Sequence, residues 1–159
     1  MVKIGDKAPD FTLKTAGPSG LADFKLADQR GKNVVLLFFP LVNTPVCFEE
    51  MCTLRDDLKS YDALKAQVVA LSVDSPFAQK LWAEKEGFKF PMVSDFNKDV
   101  CKAYGAVHET LGATGLKGVA KRSAFVIDKE GIVRMAWISD DPKVKPDFAA
   151  IKAELKKLS

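Results

Sequence analysis

A continuous apolar run from Asn33 to Phe39, rich in valine, leucine and phenylalanine, limits the folds open to this sequence more than any other segment. Gly31 and Pro40 bound the run, and a short apolar segment with such boundaries is typical of a β-strand. Because polar and apolar residues do not alternate within it, both faces of the strand need to be covered. We therefore expect this strand near the centre of a sheet.

Strand and helix patterns alternate after this run. A helical face is indicated by apolar residues at steps of four and three, namely Cys47, Met51, Leu54, Leu58 and Tyr61. The later predicted elements are a strand at Gln67–Val73, a helix at Pro76–Glu86, a strand at Phe88–Val93, a helix at Asn97–Tyr104, strands at Ser123–Ile127 and Ile132–Ile138, and a helix at Pro146–Leu158. This order predicts an α/β fold in which parallel strands and a late antiparallel hairpin share one mixed sheet, with helices on both faces.

The segment before this strand is predicted to form an N-terminal β-hairpin extension. Turn residues Gly17–Gly20 separate two short apolar stretches, Phe11–Leu13 and Phe24–Leu26. The chain has 159 residues, of which 47% are hydrophobic, which suffices for one core and is too short for two ordinary domains. Residues 1–159 are therefore expected to form a single domain.

Charge and composition exclude several classes of partner. The 24 basic and 21 acidic residues are mixed along the sequence, so no basic stripe points to nucleic acid. No apolar run has the length of a signal peptide core or a membrane span, and we expect a cytoplasmic protein without membrane contact. Three cysteines are too few for a disulfide scaffold. The single histidine, His108, lacks the neighbours of a zinc site and is predicted to be a surface or loop residue.

Cys47 is the residue best placed for chemistry. Thr44 is predicted to cap a helix in which Pro45 takes the first position, so that Cys47 falls in the first turn. Free N–H groups and the helix dipole stabilise a thiolate at such a position. Cys47 also shares a helical face with Met51 and Leu54, so local spacing favours a nucleophile and a buried packing residue equally.

The sequence resembles the peroxiredoxins in three separate segments. These are the pattern Pro40-x-x-x-Thr44-x-x-Cys47, the opening Gly5–Phe11, and Arg122 before Ser123–Asp128. The segments Phe38–Leu41 and Trp137–Pro142 are most similar to the one-domain branches of alkyl hydroperoxide reductase E and the bacterioferritin comigratory protein. The resemblance implies a thioredoxin-like three-layer fold, whereas the order of elements alone also fits other α/β folds.

The resemblance also assigns roles. Cys47 is expected to attack a hydroperoxide and become a sulfenic acid, with no metal or organic cofactor. Thr44 is expected to bring its hydroxyl to the peroxide, and Pro40 to shield the sulfur, although capping and loop rigidity are simpler roles for these two residues. Arg122 is expected to stabilise the thiolate, with Glu50 orienting it.

Two nearby cations, Lys121 and Arg134, are alternatives to Arg122 in that role. Arg122 alone occupies the family position before the strand that begins at Ser123. Its alternative role is that of a solvated charge at the start of that strand.

Cys52 is the resolving cysteine that the family spacing implies, although helix geometry opposes a direct bond to Cys47. Five helical residues give about 7.5 Å of rise and about 140° of rotation. A disulfide requires Cα atoms within about 6.8 Å. The first helical turns would therefore have to unwind after oxidation. An external thiol is the alternative, and Cys101 is a reserve resolving candidate in a later helix.

The sequence thus predicts a thiol peroxidase that reduces hydrogen peroxide and organic hydroperoxides. A thioredoxin-like or other thiol reductant is expected to recycle it, and a homodimer is expected, with a monomer as the alternative. Two other functions use the same cysteine: a peroxide-responsive redox sensor or holdase, and a dithiol-disulfide oxidoreductase. The latter usually relies on Cys-x-x-Cys, whereas four residues separate Cys47 and Cys52 here.

Overall fold

The apolar run forms the interior strand β3 (Asn33–Phe38), and all six of its residues are buried. The computed structural model describes residues 1–159. Val34, Leu36 and Phe38 contact the core on one face of the sheet, while Val35 and Leu37 contact the core on the other. This alternation follows from the two-residue period of a strand. The run lies inside the sheet, near its centre as predicted.

Seven strands and five α-helices make up the fold. The other strands are β1 (Thr12–Gly17), β2 (Gly20–Lys25), β4 (Ala66–Ser72), β5 (Met92–Ser94), β6 (Ser123–Ile127) and β7 (Val133–Ile138). The helices are α1 (Pro45–Asp56), α2 (Leu58–Ala63), α3 (Pro76–Glu86), α4 (Asp99–Ala103) and α5 (Phe148–Lys157). None of them is long and apolar enough to cross a membrane.

The strands form one mixed sheet in the order β2-β1-β5-β4-β3-β6-β7. Strands β3, β4 and β5 are parallel, and β6 and β7 add to the edge of β3 as an antiparallel hairpin. The N-terminal hairpin β1–β2 joins the opposite edge through β5. The predicted mixed α/β sheet and the N-terminal hairpin extension are both confirmed.

Helices cover both faces of the sheet, which gives the expected three layers. Helices α1, α3 and α5 lie on one face and contribute Met51, Trp82 and Ile151 to its core. Helix α4 lies on the other face and contributes Val100 and Cys101. Cys47 and Cys101 therefore belong to cores on opposite sides of the sheet.

The predicted helical face from Cys47 to Tyr61 belongs to two helices rather than one. Asp57 leaves the helical conformation, with φ −114° and ψ 12°, and separates α1 from α2. Its carboxylate accepts hydrogen bonds from the Ser60 hydroxyl and the Lys152 ammonium. Leu54 and Tyr61 are buried on either side of the break, so the apolar period continues through it and conceals it.

The strand predicted at Phe88–Val93 is shorter and begins at Met92. Phe88 and Phe90 are buried, but they stack on each other at 5.5 Å between ring centroids instead of joining the ladder. Pro91 precedes the strand and has no N–H to donate to a neighbour. The apolar pattern here indicated burial and not strand pairing.

Candidate active site

Two chain segments distant in sequence meet where β3 ends. Phe38 pairs with Ser123, the first residue of the antiparallel strand β6. Arg122, just before β6, therefore lies at the same end of the strands as Pro40, just after β3. The chain then continues from Pro40 into α1, so the start of that helix also lies at this end of the sheet.

Cys47 lies in the first turn of α1 and is 1% exposed. Thr44 precedes the helix with an extended backbone, φ −108° and ψ 149°. Its hydroxyl does not cap the helix as predicted; instead it donates a hydrogen bond to the Leu41 carbonyl at 2.8 Å. The N–H groups of the first turn therefore receive no acceptor from Thr44, and their partial positive charge remains close to the sulfur.

The Arg122 guanidinium contacts this sulfur. Its Nη2 lies 3.3 Å from Cys47 Sγ, and Nη1 donates to the Glu50 carboxylate. The Pro142 carbonyl accepts from Nε at 3.1 Å and from Nη2 at 2.9 Å. These contacts orient a side chain that is itself 1% exposed. The guanidinium is thus fixed with one edge toward the thiol.

The two alternative cations are paired elsewhere. Lys121 forms an ion pair with Asp140 at 2.6 Å, and Arg134 forms one with Asp128 at 2.6 Å. Of the three cations considered from sequence, only Arg122 contacts Cys47.

Glu50 and Arg122 form a buried ion pair beside the thiol. Glu50 is 0% exposed, and its Oε1 has no hydrogen-bond partner. Burial raises the pKa of Glu50 to about 7, although the charge of Arg122 partly offsets it. Burial acts to lower the pKa of Arg122, but the neighbouring Glu50 and Cys47 raise it above its ordinary value. Arg122 therefore stays charged while Glu50 titrates close to neutral pH.

The buried Glu50 carboxyl should make the stability of the fold depend on pH. Glu50 is protonated below about pH 7 in the folded protein, but only below about pH 4.5 in the unfolded chain. Its contribution to stability is therefore fully present below pH 4.5 and is lost as the pH rises through 7. The difference between the two pKa values corresponds to about 3 kcal/mol of folding stability. Urea unfolding of the parent and of Glu50→Gln should show the parent losing stability relative to the variant over this range. A relative gain would mean that the ionised pair, and not burial, dominates.

A single cavity joins the four residues predicted to be catalytic. Its volume is about 310 Å³, and Pro40, Thr44, Cys47 and Arg122 all line it. The rest of the wall includes apolar residues that the sequence analysis did not identify, notably Val46, Leu111 and Pro142. The arrangement can hold a small molecule with a polar end at the thiol and an apolar body against the wall.

The other two cysteines lie apart from this cavity. Cys52 is in α1, partly exposed, and burial raises the pKa of its thiol even though Arg55 acts in the opposite direction. Cys101 is fully buried in α4, and burial together with Asp95 raises its pKa well above the ordinary value. No cysteine is in a disulfide, and the sheet separates Cys101 from Cys47.

Residues missed from sequence reach the site through the chain fold. Pro142 acts through its backbone carbonyl, for which residue type gives no signal. Leu111 lies in a glycine-rich loop that has no regular pattern. His108 was predicted to be a surface or loop residue; it lies in a loop, but it is buried, at 5% exposed. No group of three or more histidine, cysteine or carboxylate side chains is placed to hold a metal.

Known proteins resemble this chain over most of its length. The family model described as AhpC/TSA matches residues 4–136. The chain belongs to the AhpC/TSA family. It is 38% identical over 148 residues to alkyl hydroperoxide reductase E of Mycobacterium tuberculosis, covering 91% of each chain. It is also 37% identical over 147 residues to peroxiredoxin-1 of Gallus gallus, covering 87% of this chain and 71% of that protein.

Among solved structures, the peroxidoxin BcpB of Mycobacterium tuberculosis superimposes with a TM-score of 0.84 at 28% identity. The match covers 100% of this chain and 99% of that one. The thioredoxin-like fold of the peroxiredoxins is thereby confirmed for the whole length of this AhpC/TSA member. Membership of the family makes the protein a thiol peroxidase, an oxidoreductase that uses peroxide as acceptor.

Proposed function

We propose that Cys47 is the peroxidatic thiol of this AhpC/TSA protein, with Arg122, Thr44 and Pro40 completing the site. The observation that supports this most strongly is the 3.3 Å contact between Arg122 Nη2 and Cys47 Sγ. A fixed positive charge and a helix N-terminus act on the same sulfur, and both favour a thiolate. Direct identification of the cysteine that takes up peroxide oxygen tests the proposal.

The reaction follows from these contacts. The Cys47 thiolate attacks the terminal oxygen of the hydroperoxide, an S–O bond forms, and the O–O bond breaks. Sulfur supplies the electron pair, and the leaving oxygen takes a proton to become water or an alcohol. Arg122 stabilises the negative charge on that oxygen. The product on the enzyme is a Cys47 sulfenic acid.

Thr44 has a specific place in this step. Its hydroxyl hydrogen is committed to the Leu41 carbonyl, so the lone pairs on Oγ1 remain free to accept a hydrogen bond. A hydroperoxide carries one O–H donor on its terminal oxygen. Thr44 would accept that hydrogen bond and direct the oxygen toward the sulfur. Pro40, which is buried in the cavity wall, excludes water from the reacting atoms.

Organic hydroperoxides fit the site as well as hydrogen peroxide does. A cavity of about 310 Å³ is much larger than hydrogen peroxide requires. The apolar side chains of Val46 and Leu111 lie in its wall and can contact an alkyl or aryl group. We therefore include organic hydroperoxides among the substrates.

Cys52 is the proposed resolving cysteine. Both cysteines lie within the continuous helix α1, in which a direct bond between residues five apart is not possible. The first turn of α1 has no side-chain cap, which lowers the free energy needed to open it. Cys52 is already partly exposed. Local unwinding from Thr44 onward would bring the two sulfur atoms together. The Cys52 sulfur then forms an S–S bond with Cys47, the S–O bond of the sulfenic acid breaks, and the oxygen leaves as water with the thiol proton of Cys52.

Treatment with one equivalent of peroxide tests this step by mass spectrometry. The parent should lose about two daltons through a Cys47–Cys52 disulfide. Cys52→Ser should instead gain one oxygen on Cys47, because no second thiol in α1 can displace it. Cys101→Ser is the matched control and should form the disulfide as the parent does. A parent that accumulates only the sulfenic acid would assign resolution to an external thiol.

We also propose a thioredoxin-like reductant, a homodimer and a cytoplasmic location. Opening the helix leaves the sulfur atoms of a Cys47–Cys52 disulfide accessible, as reduction by a small dithiol protein requires.

Three apolar side chains are exposed around the site: Phe48, Leu116 and Val144. A second copy packed there would cover them. Sedimentation analysis of the reduced protein measures that assembly, and a monomer at all concentrations would exclude it.

The cytoplasmic location is proposed because three free cysteines suit a reducing compartment.

A further inference from the structure

The loop that lines one side of the cavity is closed at its base by a short antiparallel ribbon. We call residues 109–117 the active-site loop and residues 106–108 with 118–121 the neck ribbon. A bridge between Val107 and Ala120 holds the ribbon together. The His108 N–H donates to the Val119 carbonyl at 2.9 Å, and the Gly118 N–H donates to the His108 carbonyl at 3.0 Å. The neck ribbon therefore joins the two ends of the active-site loop that contains Leu111.

The same ribbon leads directly to the reacting cation. Lys121 is the last residue of the neck ribbon, and its N–H donates to the Ala106 carbonyl at 2.8 Å. Arg122 is the next residue, and the Ser139 N–H donates to the Arg122 carbonyl at 3.0 Å. A change in the neck ribbon would consequently act on Leu111 at one end and on Arg122 at the other.

His108 is a buried titratable group inside this ribbon, and the proposed reaction does not use it. It is 5% exposed, and its Nε2 has no hydrogen-bond partner. A buried polar atom without a partner destabilises a fold by about 1–3 kcal/mol. An apolar side chain of similar size would avoid this penalty, so packing alone does not account for a histidine here.

Three charged side chains act on His108, and two of them are positive. Burial lowers its pKa most strongly, and Lys121 and Arg122 lower it further, while Asp140 acts in the opposite direction. Asp140 already pairs with Lys121, and its side chain is 90% exposed. Glu109, the next residue in the active-site loop, is exposed to water. The imidazole is therefore neutral at neutral pH, and neither of these carboxylates is buried with it, so an imidazolium at this position would have no buried counter-charge.

We propose that His108 is a positioning residue whose imidazole is compatible with the closed neck ribbon only when it is neutral, and whose protonation opens the ribbon and moves the active-site loop away from the cavity. This inference rests on the proposed function, because it concerns the cavity at Cys47. A protonated His108 would be a third positive charge beside Lys121 and Arg122. Since burying an unpaired charge is strongly unfavourable, the ribbon would open to expose the ring to water. Leu111 would then leave the cavity wall.

The expected consequence is a change in substrate preference. Hydrogen peroxide is too small to depend on Leu111, whereas a bulky organic hydroperoxide needs the apolar wall. Both substrates react with the same thiolate, so the ratio of their rate constants cancels the ionisation of that thiol. Acidification from about pH 7.5 to about pH 5 should lower the ratio for cumene hydroperoxide over hydrogen peroxide by about tenfold, the effect of one lost apolar contact.

The experiment combines this ratio with NMR of the only histidine in the chain. In the parent, the ratio, the His108 ring signal and the Leu111 methyl signals should all change with one midpoint. In His108→Asn, which cannot be protonated, the ratio and the Leu111 signals should not change with pH. If His108→Asn does not fold, His108→Gln takes its place.

Three results would overturn the inference. They are a rate-constant ratio in the parent that does not change with pH, the same change of that ratio in the variant, and Leu111 signals that do not change at the His108 midpoint. If neither peroxide reacts, the proposed function fails. The NMR comparison alone then decides whether His108 controls the loop.

Discussion

Replacing Cys47 by serine is expected to abolish peroxide reduction, with a fall in rate of more than about 1,000-fold. A serine hydroxyl is not ionised at neutral pH, and neither Arg122 nor the start of α1 can make it a comparable nucleophile. The folded structure should persist, because serine is nearly isosteric and the Arg122 contacts with Glu50 and Pro142 remain. Peroxide consumption by equimolar reduced protein measures the effect.

Cys101→Ser is the control for this loss. Cys101 is also fully buried and free, but it belongs to the core on the other side of the sheet. Its substitution tests whether any buried thiol supports the reaction. Retained activity in Cys101→Ser together with loss in Cys47→Ser is the expected pair of results. Substantial peroxide reduction by Cys47→Ser would show that another cysteine carries the chemistry.

Replacing Arg122 by methionine should lower the rate of Cys47 oxidation by about 100-fold to about 1,000-fold, the typical effect of removing one donor to a developing oxyanion. The donor that is removed lies 3.3 Å from the sulfur. Stopped-flow oxidation of the reduced protein by hydrogen peroxide measures the rate. A rate equal to that of the parent would remove Arg122 from the mechanism.

Stability has to be separated from chemistry in this variant. Removing Arg122 leaves Glu50 buried without its partner, and breaking a buried pair in this way typically destabilises a protein by about 3–5 kcal/mol. The double variant Arg122→Met/Glu50→Gln should recover much of that stability but none of the rate. Arg134→Gln is the matched control, because Arg134 pairs with Asp128 away from the thiol, and it should react as the parent does.

The fold was predictable where burial and local pattern agree. The apolar run at Asn33–Phe38 is buried on both faces, as its composition requires. Helix α3 begins and ends as predicted because Pro76 starts it and Gly87, with φ +73°, ends it. The break at Asp57 was missed because apolar periodicity persists across it. The strand β5 was predicted, but its start was placed too early because the buried Phe88 and Phe90 have the composition of a strand.

The site was predictable only in part. Thr44 and Cys47 are close in sequence, so helix-start chemistry indicates them as candidates, although spacing alone favoured a packing role for Cys47 equally. Arg122 lies 75 residues from Cys47 in sequence, and only the family resemblance identified it before the structure placed it against the sulfur. The Pro142 carbonyl has no sequence signature. The burial of His108 depends on the neck ribbon, which forms through long-range pairing that residue patterns do not show.

The central claim is that Cys47 takes the peroxide oxygen. Reduced Cys52→Ser protein, treated with one equivalent of hydrogen peroxide and a sulfenic acid-specific trapping reagent, should carry the trapped group on Cys47, as located by peptide mass spectrometry. Trapping on Cys101, or slow oxidation spread equally over the remaining thiols, would contradict it.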